Sequence, residues 1–141
     1  MKKRKLLDSF ALLAYLNKES GFEKVRKIME EAQYMQEPVL MNEINAGETY
    51  YILFRKRGKE KAEFFLNSIL PALPVFIISN TFESVMETAR IKAQYPISYA
   101  DAFAVSTAIR EDSAVVTGDP EFKYVEHLVT VEWLVNPDGM K

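Results

Sequence analysis

The chain has no cysteine and only one histidine. The first absence removes disulfides, thiolate nucleophiles and zinc–sulfur sites, and it fits a reducing compartment. The second leaves His127 alone, far along the tail, where a structural or solvent-facing place is expected. A mechanism built on histidine acid–base chemistry is therefore disfavoured. Uninterrupted apolar runs of about 18 residues are also missing, so no transmembrane helix is expected. The start, Lys2-Lys3-Arg4-Lys5, has the charge of a signal peptide, but Asp8 breaks the apolar stretch and no small-residue cleavage site follows. The expectation is a soluble cytoplasmic protein with no membrane partner. Nor is there an excess of positive charge: the net charge is -2. Any nucleic-acid role must rest on a local patch.

With 141 residues, 48% of them hydrophobic, the chain has the size and core material of one domain. It contains no repeat, low-complexity tract or linker. Its five glycines and six prolines fall at plausible element boundaries.

Short apolar segments alternate with helical patterns. Strands are expected at 3–7, 38–41, 75–78 and 114–117, with one more around 128–131. Helices are expected at 9–17, 22–36, from Asn42 or Asn45 to about 57, at 59–70, from Asn80 or Thr81 to about 94, and from Ser98 to about 112. In the second helix Phe22, Val25, Ile28, Met29 and Ala32 recur at helical spacing. Pro38, Pro71 and Pro96 act as stops and Gly58 as a helix end. The alternation implies an α/β fold, a three-layer α/β/α sandwich with a mainly parallel central sheet. Such folds place ligands outside the carboxyl ends of their strands.

Four carboxylates fall there, and each has an ordinary explanation. Asp8 follows the first strand, where it can cap the helix starting at Ser9. Glu48 sits early in the third helix, and Asn45-Ala46-Gly47-Glu48 has capping-box spacing. It shares a face with Tyr51 and Ile52, which would desolvate it. Glu43 is a rival for its place. Asp101 lies in another capping-box pattern, Ser98-Tyr99-Ala100-Asp101, but it shares a helix side with Ala104, Val105 and Ala108. An acid on a buried helix face needs a partner or a metal. Asp119 follows the 114–117 strand in Gly118-Asp119-Pro120, common turn chemistry. Four acids meeting in a dry pocket would repel one another unless protons or a divalent cation sat among them. Oxygen-only ligands favour Mg²⁺ or Mn²⁺.

At these residues the sequence resembles the PIN-domain family, and within it the VapC-type toxins. The matching segments are Leu6-Leu7-Asp8-Ser9; Ile44-Asn45-Ala46-Gly47-Glu48-Thr49-Tyr50-Tyr51 with Arg55 and Gly58; Tyr99-Ala100-Asp101-Ala102 with Ser106-Thr107-Ala108; and Val116-Thr117-Gly118-Asp119-Pro120-Glu121-Phe122. The resemblance spans residues 3 to about 131 and implies a single PIN-like domain over 1–141. It assigns the family's four acidic positions to Asp8, Glu48, Asp101 and Asp119, choosing Glu48 over Glu43, and its supporting hydroxyls to Ser9 and Thr117. It also implies ribonuclease action with Mg²⁺ or Mn²⁺, a homodimer, and a small antitoxin whose C-terminal segment enters the active-site groove. In this reading Asp8 and Asp101 hold the first metal directly, Asp119 shares it or binds through water, and Glu48 orients or deprotonates water or binds a second ion.

RNA needs a cationic track. Arg55, Lys56 and Arg57, with Lys59 and Lys61, gather at one helix junction, where a solvated helix C-terminus explains them equally well. Tyr50, Tyr51 and Phe54 precede them and read as core or dimer interface before base-stacking platforms. Three other readings fit an α/β chain with these acids. A signalling receiver domain would need an acid at the end of the 75–78 strand, but Ser79-Asn80 stands there. A non-catalytic RNA-binding or interaction domain would have little use for all four acids, and an RNA-processing nuclease without an antitoxin is the nearer alternative.

Overall fold

Short segments of three to five residues make the strands of the computed structural model, which describes residues 3–136. They are β1 (Arg4–Leu7), β2 (Val39–Asn42), β3 (Val75–Ile78), β4 (Ser113–Thr117) and β5 (Val131–Trp133). All pair in parallel, in the order β3-β2-β1-β4-β5. The helices are α1 (Ser9–Asn17), α2 (Phe22–Met35), α3 (Glu43–Arg57), α4 (Lys59–Phe64), α5 (Phe82–Gln94) and α6 (Tyr99–Glu111). Lys2, in the basic start, lies outside the described residues, as do the last five positions.

The sheet is apolar on both faces, which is why its strands read as continuous runs rather than alternations. Leu7, Met41 and Val116 project to one side and pack with Leu12, Val25, Met29, Leu53 and Phe65. Leu6, Leu40 and Val115 project to the other and meet Ala102, Val105, Ala108 and Phe122. The result is the expected α/β/α sandwich, with α1, α2 and α4 on one face and α6 on the other, α5 packing on α6. The direction of strand addition reverses between β1 and β4. The crevice outside the carboxyl ends of those two strands is where such a fold can hold a ligand.

Three local expectations are corrected. The last strand is Val131–Trp133 rather than 128–131. Leu128 and Val129 are apolar because they cover the core beneath α6, not because they pair; Val131 is the residue opposite Val115. The 59–70 helix is regular only to Phe64; it widens into a π turn at Phe65–Ile69 and tightens into a 3₁₀ turn at Leu70–Ala72. Pro71 lies in that last turn and offers no N–H to prolong a helix. Finally, α3 is capped by Asn42, so Glu43 is already its first residue, and Asn45 is a buried helical residue.

Asn42 also ties the layers together. Its Oδ1 accepts from the Ile44 N–H at 2.8 Å, and its Nδ2 donates to Thr107 Oγ1 and Asn80 Oδ1, both at 2.9 Å. The residue is fully buried. Asn42→Ala removes a helix cap and strands buried partners, and is expected to cost about 2–4 kcal/mol in urea unfolding. A loss under about 0.5 kcal/mol would show that the network does not hold α6 to the sheet.

Candidate functional site

Asp8 leaves β1 in an extended conformation and caps α1, its Oδ1 accepting from the Ala11 N–H at 2.9 Å. Its other oxygen accepts a short hydrogen bond from the hydroxyl of Thr117. Thr117 can reach it because β4 lies beside β1, with Leu7 opposite Val116. The same Thr117 oxygen accepts from the Asp119 N–H at 3.0 Å. One buried hydroxyl thus links the acids that end two strands. Gly118 lies between them with the Phe10 ring against it: a Cβ there would stand 2.3 Å from that ring.

Glu48 comes from the second turn of α3, and Ser9 Oγ donates to its Oε1 at 2.5 Å. Glu43, the rival, faces elsewhere: its Oε2 accepts from the Asn80 N–H at 2.7 Å. Asp101 lies in the first turn of α6, where its own N–H donates to the Ser98 cap at 3.1 Å. Its side chain is different from the rest. Asp101 is only 4% exposed, and its Oδ2 has no hydrogen-bond partner.

The Asp101 carboxyl also meets two more carboxylates. Oxygens of Asp101, Asp119 and Glu121 all lie within 4.8 Å of one another. Glu121 is the member that sequence reasoning missed. It belongs to a 3₁₀ turn, Pro120–Val125, that Asp119 caps by accepting from the Glu121 N–H at 2.9 Å. This turn swings Glu121 back to α6, where its Oε1 accepts from the Ser98 N–H at 2.9 Å. The only signal in the sequence was its place two residues after Asp119, next to a proline that makes a tight turn.

Of the four expected acids, the structure brings Asp101 and Asp119 within 4.8 Å of each other; Asp8 feels the charges of Asp119 and Glu48, and Asp101 those of Asp119 and Asp8, while Thr117 and Ser9 are bonded to Asp8 and Glu48. The crowding shows in their acidity. Burial pushes the Asp8 carboxyl up to about 7, with the charges of Asp119 and Glu48 adding to it and the Thr117 and Ala11 hydrogen bonds holding it back. Asp101 is raised further by burial and by Glu121, Asp119 and Asp8. Glu121 is lowered, chiefly by Asp101 as its hydrogen-bond partner, helped by the Ser98 N–H and Lys92. A single proton between Asp101 and Glu121 accordingly rests on Asp101. If all three acids are ionised, the Asp101 oxygen faces only acceptors, so a cation must take the proton's place. The orphan atom and the all-oxygen donor set fit a hard divalent ion.

The remaining candidates lie apart from this cluster. Arg55, Lys56 and Arg57 are exposed at the end of α3. Arg55 lies over the Tyr51 ring, 5.4 Å from its centroid. Tyr50 is half-buried against the core and donates to Glu63. His127 is exposed and hydrogen-bonded to Tyr95 at 3.0 Å.

A pH dependence follows. The Asp8 carboxyl titrates at 3.8 in its ordinary state and at about 7 in the fold, so the folded chain holds more protons between those values. Stability of the metal-free protein should fall as pH rises through that window, by up to about 4 kcal/mol from this group. Asp8→Asn keeps an acceptor for Ala11 and should melt higher than the parent at pH 8. A lower melting temperature at pH 8 would mark Asp8 as a cap and nothing more.

The fold and its acidic crevice can be set beside known proteins. The PIN domain model matches residues 5–128. No curated protein matches the chain in sequence. Among solved structures, VapBC2 from Rickettsia felis, bound to a DNA fragment from its promoter, superposes with a TM-score of 0.72 at 17% identity, covering 91% of this chain and 96% of that one. VapC20 from Mycobacterium tuberculosis, a sarcin–ricin loop cleaving toxin, gives 0.69 at 16% identity, covering 86% and 94%. A toxin–antitoxin complex from Klebsiella pneumoniae gives 0.62 at 15% identity, covering 94% and 97%. These structures share the fold, and the match over most of the sequence shows that the chain belongs to the PIN domain family.

Proposed function

We propose that this chain is a metal-dependent endoribonuclease acting on single-stranded or structured RNA, the toxin of a VapC-type toxin–antitoxin pair. The observation that carries this reading is the buried Asp101 carboxyl, one oxygen of which has no hydrogen-bond partner, in a cluster with the carboxylates of Asp119 and Glu121. A site of this kind has no side-chain nucleophile to offer and much to offer a hard cation. The relatives named as toxins support the activity, and the toxin–antitoxin complex supports a small antitoxin as partner. A homodimer and a cytoplasmic setting belong to the same reading. Among the described residues no helix is long and apolar enough to cross a membrane.

Asp8, Asp101, Asp119 and Glu48 would hold Mg²⁺ or Mn²⁺. When bound, such an ion neutralises charge on the scissile phosphate and lowers the pKa of water. The chain's own residues do the rest. Thr117 fixes Asp8, and Ser9 fixes Glu48, so neither carboxylate has to be reoriented when substrate arrives. Glu48, less buried than Asp8 and Asp101, would orient or deprotonate the attacking water. Arg55, Lys56 and Arg57 would meet the phosphate backbone. Arg55, held over Tyr51 one turn beyond Glu48, is the nearest of them along α3.

The test is a cleavage assay on defined RNAs with Mg²⁺, Mn²⁺ or EDTA. Asp101→Asn should lower metal-dependent cleavage by at least about a hundredfold with the fold intact. EDTA should abolish cleavage by the parent chain. Cleavage by Asp101→Asn at the parent rate would reject the site, and cleavage that survives EDTA would reject the metal dependence.

A further inference from the structure

We infer that the cation sits on the α6 side of the crevice, with Glu121 as a ligand beside Asp101 and Asp119. This rests on the metal-dependent reading above and adds a ligand outside the four acids that the sequence pointed to. The reasoning turns on which carboxylate oxygens are free. Asp8 accepts one hydrogen bond on each oxygen, from the Ala11 N–H and the Thr117 hydroxyl, and keeps a lone pair on each for the ion. Glu48 gives one oxygen to Ser9. Asp119 gives one to the Glu121 N–H, and Glu121 gives Oε1 to the Ser98 N–H. Each keeps an oxygen in hand. Among the described carboxylates Asp101 alone has a buried oxygen with no donor at all, and its carboxyl lies within 4.8 Å of those of Asp119 and Glu121.

The backbone bonds orient Glu121 before any ion arrives. Holding Oε1 against Ser98 leaves Oε2 available, so the ligand loses little freedom on binding. The same bond anchors the first turn of α6, which carries Asp101. Asn45 braces that turn from the other side, donating to the Ala100 carbonyl at 3.1 Å. Three oxygens on two short, braced segments make a preformed triangular face, and the charge of Asp8 acts on it as well. The net charge of the trio when ionised suits a small divalent ion that keeps several waters.

Glutamine at 121 separates the two jobs of this residue. Its carbonyl oxygen still accepts from Ser98, so the cap survives, while the anionic ligand is lost. Mn²⁺ titrated into the full chain and followed by calorimetry should bind Glu121→Gln at least about tenfold more weakly than the parent. Asp101→Asn should weaken it by as much or more. Parent-like Mn²⁺ affinity in Glu121→Gln, with Asp101→Asn impaired, would overturn the ligand role of Glu121 and leave the nuclease reading standing. No Mn²⁺ binding by the parent would overturn both. Should Glu121→Gln fail to fold, Mn²⁺ soaked into crystals of the parent decides. An anomalous peak within bonding distance of Glu121 upholds the assignment, and a peak bounded only by Asp8 and Glu48 overturns it.

Discussion

Repulsion among carboxylates at the carboxyl ends of β1 and β4 is the interaction around which the rest of this structure is arranged. Asp8 and Asp101 are removed from water almost completely, and each feels the charge of other acids. Left ionised and unpaired, such groups oppose folding. The chain offsets this with donors that cost little because they are already there: the N–H groups that open α1 and the 3₁₀ turn, and the hydroxyls of Ser9 and Thr117. At Asp101 the offset is missing. That gap is the place the proposed cation would fill.

The ordinary and the functional explanations of these acids turn out to be compatible. Asp8 and Asp119 do cap the segments that follow them, and each contributes to the cluster as well. A carboxylate has two oxygens. Capping uses one and aims the other, so the same local rule that starts a helix also fixes a ligand. The parallel sheet supplies the convergence: adjacent parallel strands end on the same side, and their following residues must meet there.

Much of this was legible in the sequence. Apolar runs bounded by prolines located four strands and most helices, because burial on both faces leaves few other patterns. Asp101 stood out as an acid on a face of Ala104, Val105 and Ala108, and it is the least compensated group in the site. What was not legible depended on tertiary geometry. Asn42 and Asn45 both read as possible caps; Asn42 takes that place, and Asn45 is buried in α3 against α6. Leu128 and Val129 read as a strand because coverage of a core and pairing in a sheet demand the same apolar residues. Glu121 was passed over because a 3₁₀ turn, which no periodicity announces, folds it back onto Ser98.

The central claim is that a proton and a divalent cation compete for one place among these acids. Calorimetric titration of Mn²⁺ at pH 6, repeated in buffers of different ionisation enthalpy, counts the protons released per ion bound. The account predicts release of about one to two protons per chain, because burial and neighbouring charges raise both Asp101 and Asp8 above that pH in the metal-free fold. Mn²⁺ binding with no proton release would contradict it.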